Sequence, residues 1–190
     1  MGGVIDSKII RSDILPDMKV VALGWAEYLK DHLPADQADK LYSLISAVPE
    51  DDHLLHGDYH VKNILLQNGE SLLIDMDTLC HGHPIFELAS IFNAYVGFGL
   101  SHPYGMREFL GIPFASCVDF WRKGLALYLD TQDEDRINEV EAKAKIIGMT
   151  RIMRRELRRD GMHHEEGRKL IEICRKGLAD LLPRVDTLEF

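Results

Sequence analysis

Apolar residues recur at helical spacing in two separated parts of the chain. The first part predicts one helix that ends near Leu33-Pro34 and a second helix that Pro49 stops. The second part contains three apolar stripes, which predict three more helices. The positions that carry these predictions are Met18, Ala22, Trp25 and Leu29; Leu41, Leu44, Ile45 and Val48; Phe114, Val118, Trp121 and Leu125; Ile146, Met149, Met153 and Leu157; and Leu170, Cys174, Leu178 and Leu181. Residues 1–16 show no clear periodicity.

Short strands are predicted between these two helical parts. Leu54-Leu55-His56 indicates a strand that enters a polar loop. Two apolar runs, 64–67 and 71–74, then flank Asn68-Gly69. This dipeptide is a strong β-hairpin signal, because both residues tolerate a positive φ. We therefore expect a small β-hairpin module in the middle of a mostly helical chain.

The segment after the hairpin predicts a helix and then a loop. Pro84 is well placed in the first turn of a helix that runs through Tyr95. Residues 98–112 contain three glycines and one proline, and they are expected to form a loop. The whole pattern predicts an α+β fold, mostly helical, in which the hairpin separates two sets of helices.

The composition is that of a globular domain. The chain has 190 residues, of which 46% are hydrophobic and 28% charged, so it excludes disordered, collagen-like and disulfide-scaffold classes. Its net charge is −9, with −12 in residues 1–135 and +3 in residues 136–190, and this argues against general nucleic-acid binding. Cys80, Cys117 and Cys174 are scattered and are expected to be buried thiols. No signal-peptide pattern or apolar run of about 18 residues occurs, so a cytoplasmic location without membrane partners is expected.

Two polar loops contain the residues that suggest chemistry. The loop 56–63 lies between predicted strands, and Asp75 and Asp77 follow the hairpin. The hairpin is expected to bring these aspartates back beside the first loop. Phosphoryl transfer needs a carboxylate that deprotonates the attacking hydroxyl and oxygen ligands that hold Mg²⁺. An Asp, an Asn five residues later and a second Asp after the hairpin supply these groups.

Three ordered motifs in this region resemble a known superfamily. They are His56-Gly-Asp58-x-His60-x-x-Asn63-Ile-Leu, Leu73-Ile74-Asp75-x-Asp77 and Gly82-x-Pro84-x-x-x-Leu88-Ala89. Together they resemble the aminoglycoside phosphotransferase and choline kinase superfamily, a small-molecule branch of the protein-kinase fold. The likeness is densest over residues 53–92. It implies the C-terminal lobe of a kinase-like fold, which phosphorylates a small-molecule hydroxyl with ATP and Mg²⁺.

The resemblance also implies a role for each polar residue of the two loops. Asp58 corresponds to the catalytic base, and His60 supports the loop or approaches the γ-phosphate. Asn63 and Asp75 correspond to the residues that bind Mg²⁺ and, through it, the nucleotide. Asp77 is expected to be an additional metal group or to support one.

Two further residues are expected to brace the catalytic loop. His56 would brace it from within, and Glu87 would accept hydrogen bonds from its backbone. The family usually has Asp at the position of Glu87, and Gly-Asp-Pro where this chain has Gly82-His83-Pro84. A Glu can accept the same hydrogen bonds only if the backbone shifts to fit its extra methylene.

The resemblance implies an N-terminal lobe with a glycine-rich strand turn and a strand lysine. Before His56 the chain has 55 residues, which predict two helices instead. We therefore expect residues 1–190 to be a single C-terminal lobe without the nucleotide lobe. Its expected parts are helices within 17–48, the catalytic and metal loops within 53–83, and a helical remainder over 84–182.

Two other functions are compatible with the sequence. One is a non-catalytic kinase-fold remnant or fragment that acts as a binding module and self-associates through the surface left open by the absent lobe. The other is a metal-dependent hydrolase, because His and Asp residues crowd one region. These residues are His56, Asp58, His60, Asp75, Asp77, His81 and His83. For the kinase, the acidic first part of the chain suits a cationic acceptor.

Five arginines mark the predicted helix that contains Met149 and Met153. They are Arg151, Arg154, Arg155, Arg158 and Arg159. The expectation is a solvated face near a helix C-terminus, with a phosphate or partner contact as the alternative.

Overall fold

The computed structural model describes residues 14–190. The expectations for the first thirteen residues therefore lie outside the described residues. The helices are α1 (Met18–Leu29), α2 (Ala35–Ser46), α3 (Ile85–Tyr95), α4 (Pro103–Leu110), α5 (Phe114–Tyr128), α6 (Glu134–Arg158) and α7 (Glu165–Leu181). The strands are β1 (Leu54–Leu55), β2 (Ile64–Gln67), β3 (Glu70–Leu73) and β4 (Cys80–His81).

The first two helices form as their apolar spacing predicts. Asp17 caps α1, because its carboxylate accepts a 2.8 Å hydrogen bond from the Lys19 amide. The helix buries Trp25 and Leu29 on one face and ends at Leu29, slightly before the predicted end. Helix α2 follows Pro34 and packs against α1.

The β-hairpin forms at the predicted turn. Asn68 and Gly69 adopt φ values of 53° and 83°, and Gln67 pairs with Glu70 across the turn. The hairpin β2–β3 is separate from the second two-stranded sheet, in which β1 pairs antiparallel with β4. These two small sheets hold the ends of both polar loops, which lie between β1 and β2 and between β3 and β4.

The hairpin presents apolar side chains to solvent. Leu65 and Leu72 lie opposite each other and are 50% and 40% exposed, and Leu66 is 80% exposed. Ile74 and Met76, which follow β3, are also exposed. The strands are therefore not buried core strands, although their residues are apolar.

Helix α3 is the centre of the helical core. Every residue from Ile85 to Tyr95 is buried, and α6 and α5 pack against this helix. A Cβ atom at Gly148 on α6 would lie 2.7 Å from Cδ1 of Phe92 on α3. A glycine at position 148 therefore allows the two helices to approach closely.

The cysteines and the tryptophans of the apolar stripes are buried. Cys80, Cys117 and Cys174 are buried free thiols, and Trp25 and Trp121 belong to the core. Mostly helical structure with small two-stranded sheets is consistent with the predicted α+β class. Across residues 14–190 the structure has no helix with the length and apolar character that crossing a membrane requires.

The prediction of a loop over 98–112 is wrong, because α4 lies inside it. Pro103 occupies the first turn of α4, and Gly111 follows its end with a φ of 78°. Proline favours the first helical position, and glycine favours the left-handed position just after a helix. The same residues that indicate a loop thus mark the two ends of a short helix.

The prediction of a solvated arginine face on α6 holds only for its end. Arg158 and Arg159 are exposed, but Arg151 is mostly buried and contacts the loop after β1. Arg155 lines the cavity beside that loop, and its guanidinium lies 4.9 Å from the centre of the Phe98 ring. One face of α6 therefore points arginines into the protein.

Candidate active site

The loop between β1 and β2 makes a tight turn at Gly57. Gly57 has a φ of 77°, and a Cβ atom there would lie 2.7 Å from the backbone oxygen of Thr78. The Thr78 hydroxyl in turn donates a 2.7 Å hydrogen bond to the His56 carbonyl oxygen. The first polar loop therefore packs directly on the second, and a side chain at position 57 would separate them.

Three side chains hold the backbone of Gly57. Its amide donates to Oε2 of Glu87 at 2.9 Å. Its carbonyl oxygen accepts a 2.6 Å hydrogen bond from the Ser90 hydroxyl and a 3.1 Å hydrogen bond from Nη1 of Arg151. Glu87 and Ser90 come from α3 and Arg151 from α6, so the helical core fixes the start of the loop.

His56 joins the two polar loops from inside. Its Nδ1 accepts a 3.2 Å hydrogen bond from the Asp58 amide. Its Nε2 lies 3.0 Å from the Ile74 carbonyl oxygen and so is the ring nitrogen that donates. Ile74 directly precedes Asp75. The buried His56 ring therefore connects the backbone at Asp58 with the backbone next to Asp75.

Asp58, Asn63 and Asp75 line one cavity of about 800 Å³. The Asn63 amide group donates a 3.0 Å hydrogen bond to the Asp58 carbonyl oxygen, which leaves Oδ1 of Asn63 as its acceptor. The Asn63 carbonyl oxygen accepts from the Ile74 amide at 2.9 Å. The structure thus brings together the three residues in which the sequence predicts the chemistry.

Asp75 has an unusual backbone conformation. Its φ is 62° and its ψ is 67°, in the left-handed region that non-glycine residues seldom adopt. The residue is exposed and lies between β3 and a 3₁₀ turn at Met76–Thr78. Such strain concentrates at functional sites, where the surrounding structure maintains it.

His60 lies beside the carboxylate of Asp58. Its Nε2 is 3.5 Å from Oδ2 of Asp58, and its ring meets the Phe109 ring edge-on at 5.2 Å. The imidazole is buried, and its Nδ1 has no hydrogen-bond partner within residues 14–190. Within the described part of the chain, its Nδ1 is therefore a buried polar atom that is left unpaired beside the cavity lining.

Asp77 is placed differently from the other predicted site residues. It is exposed within the 3₁₀ turn after Asp75, and it is not among the residues that line the cavity. The ligand cluster that a metal-dependent hydrolase would need does not form either. In the part of the chain that the structure describes, no three His, Cys, Asp or Glu side chains converge on a point where they could hold a metal.

Other walls of the cavity come from residues that the sequence analysis did not assign to the site. Phe98, Met106 and Phe109 are apolar residues of the lining, and Glu166 of α7 is an acidic one. Nδ1 of His102 lies 3.2 Å from Oε1 of Glu166, an ion pair when the imidazole is protonated. No local sequence signal marks these residues, because the fold alone brings them to the cavity.

Burial shifts the pKa values of the groups beneath the loop. It raises the pKa of Glu87 above the ordinary glutamate value, while the Gly57 amide and the charge of Arg151 oppose this shift. Burial lowers the pKa of Arg151, and the charges of Asp58 and Glu87 oppose that shift. Tyr95, whose hydroxyl oxygen accepts a 2.9 Å hydrogen bond from the Val61 amide, has its pKa raised to about 12 by burial. All three side chains form hydrogen bonds with the backbone of the first polar loop.

The chain matches one model of a known protein family. A family model described as a phosphotransferase enzyme family, APH, matches residues 13–110, which is more than half of the chain. The match includes both polar loops and α3, and it ends before α5 begins. No curated protein and no solved structure matches the chain.

Proposed function

The chain belongs to the phosphotransferase enzyme family, and from this premise we propose that it transfers the terminal phosphoryl group of ATP to a hydroxyl group of a small molecule. The observation that carries the proposal is the convergence of Asp58, Asn63 and Asp75 on one cavity. A protein-kinase-like C-terminal lobe is the corresponding proposal for the fold. Its support is the order of elements, in which a catalytic loop, a hairpin and a second aspartate precede a helical region.

Asp58 acts as the general base in this proposal. Its side chain is 46% exposed, so the carboxylate reaches a hydroxyl bound in the cavity. The loop backbone beneath it is fixed by His56 and Glu87, so the carboxylate has a defined starting position. It accepts the hydroxyl proton as the oxygen attacks phosphorus.

Asn63 and Asp75 fit a Mg²⁺ ion. Mg²⁺ prefers oxygen ligands, and it is usually bound through one or two protein groups together with phosphate oxygens. The Asp75 carboxylate and Oδ1 of Asn63 are such ligands, and the Asn63 amide group is already used by Asp58. When bound, Mg²⁺ neutralises charge on the phosphate oxygens.

His60 and Asp77 have supporting roles in the proposal. His60 faces Oδ2 of Asp58 and orients that carboxylate towards the acceptor. Asp77 is the weaker of the proposed metal residues, because it lies on the exposed turn outside the cavity lining.

The acceptor is a small molecule because the cavity of about 800 Å³ is within the range of small-ligand sites. A cationic acceptor has less support from the cavity than from the net charge of the chain. Glu156 and Glu166 line the cavity, but Arg155 pairs with Glu156 and His102 pairs with Glu166. The carboxylates outside the catalytic loops therefore already have basic partners.

Nucleotide binding tests the proposal directly. The thermal unfolding midpoint is measured with ATP and Mg²⁺ at millimolar concentrations, with and without EDTA, for the wild type and for Asp75→Asn. We expect stabilisation of the wild type that depends on Mg²⁺ and is lost in the variant, since ligand binding to the folded state stabilises it. Asp119→Asn, an exposed change on α5, is the control and is expected to behave like the wild type. An unchanged midpoint in the wild type contradicts the ATP assignment.

The exposed hairpin favours a second candidate function. A non-catalytic module that self-associates would use apolar surface such as Leu65, Leu66 and Leu72. Sedimentation of Leu66→Asp against the wild type tests this proposal, with Leu127→Asp as the control, because Leu127 is similarly exposed on α5. A dimer that only Leu66→Asp dissociates supports the module, and a wild-type monomer contradicts it.

A further inference from the structure

Arg151 connects a helix outside the family-matched segment with the catalytic loop. It lies on α6, whereas the match ends at residue 110. Its Nη1 donates to the Gly57 carbonyl oxygen at 3.1 Å and to the Ser90 hydroxyl at 3.2 Å. We propose that Arg151 is a positioning residue that fixes the peptide unit between Gly57 and Asp58. Its effect on turnover rests on the proposed function of Asp58, but its effect on the loop does not.

The peptide unit is held on both of its polar edges. The Gly57 carbonyl oxygen accepts from Ser90 and from Arg151, which uses both of its lone pairs. The amide on the other side of the same peptide belongs to Asp58 and donates to Nδ1 of His56. Because the peptide is planar, fixing both edges fixes the position of the Asp58 Cα atom and the direction of its N–Cα bond, from which the side chain is built.

This restraint matters because Gly57 supplies no side chain of its own. A glycine at positive φ has more backbone freedom than any other residue, and its neighbours must therefore determine its conformation. Ser90 alone offers one donor, and that hydroxyl is itself oriented by Arg151. The guanidinium thus restrains the carbonyl both directly and through the serine.

The surroundings of Arg151 indicate that its charge and donors are required, and not only its volume. The guanidinium lies 5.7 Å from the centre of the Trp25 ring. The negative charges of Asp58 and Glu87 favour its charged form. Burying a cation is unfavourable unless hydrogen bonds and opposite charges compensate it. An apolar side chain would fill the same space without that penalty, so packing alone does not account for an arginine here.

Hydrogen–deuterium exchange tests the proposal without any substrate. We expect Arg151→Met to accelerate exchange of amides in residues 57–63 by about tenfold or more, while amides of α2 stay at their wild-type rates. Arg151→Lys keeps a charge and a single ammonium nitrogen with three N–H donors, and it is expected to restore most of the protection. Arg158→Met, an exposed change in the last turn of the same helix, is the control. Unchanged exchange in residues 57–63 overturns the proposal, and so does equal acceleration throughout the protein.

Turnover separates positioning from general stability. ADP release is followed with water as the acceptor. We expect Arg151→Met to lower kcat by about tenfold to a hundredfold and to change KM for ATP by less than about threefold, because Asn63 and Asp75 are untouched. A change in KM alone overturns positioning of Asp58. If the wild type neither binds nor cleaves ATP, the proposed function fails, whereas the exchange result still decides whether Arg151 fixes the loop.

Discussion

The Gly57 amide donates a 2.9 Å hydrogen bond to Oε2 of Glu87, a fully buried glutamate whose Oε1 has no hydrogen-bond partner within residues 14–190. Glu87 thus contacts the loop backbone at the place where the sequence analysis expects a bracing residue. The arrangement leaves a carboxylate in a poorly solvated place, with the charge of Arg151 as partial compensation.

Glu87 is expected to make stability depend on pH. Burial raises its pKa from the ordinary value of 4.5, so the folded protein retains a proton in a pH range where the unfolded chain has lost it. The free energy of unfolding therefore falls as the pH rises from 4.5 to the raised pKa, and it levels off above that value. Glu87→Gln lacks this titration. Urea unfolding across that pH range should show a wild-type decline that is absent from the variant, whereas Glu70→Gln on the exposed hairpin should keep it.

Removing the proposed base should abolish turnover and spare the fold. We expect Asp58→Asn to lower the rate of ADP release by about 10²- to 10⁴-fold, the usual contribution of a general base. The unfolding midpoint should stay within a few degrees of the wild-type value, because the side chain is 46% exposed. Rates and midpoints are measured on the same preparations, with Asp119→Asn as the control. A variant with wild-type turnover would remove Asp58 from the mechanism.

A methyl group at Gly57 should separate the two polar loops. The added Cβ of Gly57→Ala would lie 2.7 Å from the Thr78 backbone oxygen, in a residue with positive φ. Gly69→Ala is a matched control, because Gly69 also has positive φ but no atom within 4 Å of the added Cβ. We expect Gly69→Ala to cost about 1–2 kcal/mol through backbone strain alone. Gly57→Ala should cost more and should weaken Mg²⁺-ATP binding, as measured by denaturant unfolding and calorimetry. Equal costs for the two variants would contradict the close contact.

Two helical glycines should respond to alanine in opposite directions. At Gly148 the new methyl group would lie 2.6 Å from Oδ1 of Asn93 and 2.7 Å from Phe92, so overpacking should destabilise the protein by about 1–3 kcal/mol. At Gly24, on the exposed side of α1, nothing lies within 4 Å. Gly24→Ala should therefore stabilise the protein by about 0.5–1 kcal/mol through helix propensity. Urea unfolding of both variants gives the sign, and destabilisation by Gly24→Ala would contradict the exposed helix.

Local signals account for the parts of the fold that the sequence predicts. The apolar stripes give most helices, and the turn preference of Asn68-Gly69 gives the hairpin, whose second strand begins one residue earlier than predicted. The prediction fails for α4 because Pro103 and Gly111 are as typical of helix ends as of loops. Whether this segment is a helix or a loop depends on Met106 and Leu110, which become buried only through tertiary contacts.

Local sequence signals also identify only part of the candidate site. The order and spacing of Asp58, Asn63 and Asp75 make them recognisable within a short segment, and one cavity brings them together. Arg151 resembles its solvated neighbours on α6 in sequence, because its partner at Gly57 is 94 residues away. A contact from a distant helix to the first polar loop has no local sequence pattern, so it is recognised only in the folded structure.

The wide separation between Gly57 and Arg151 along the chain also sets the order in which this site can form during synthesis. The motif residues leave the ribosome well before α6, because domains emerge from their N-terminal side at about 5–20 residues per second. Until α6 packs against α3, the loop can form its hydrogen bond with Glu87 of α3. It still lacks the hydrogen bond from the Arg151 guanidinium to the Gly57 carbonyl oxygen. Contacts of such large sequence separation form late, because closing the intervening chain opposes them. The proposed active site should therefore be complete only in the last stages of folding, after the nascent chain has extended through residue 158.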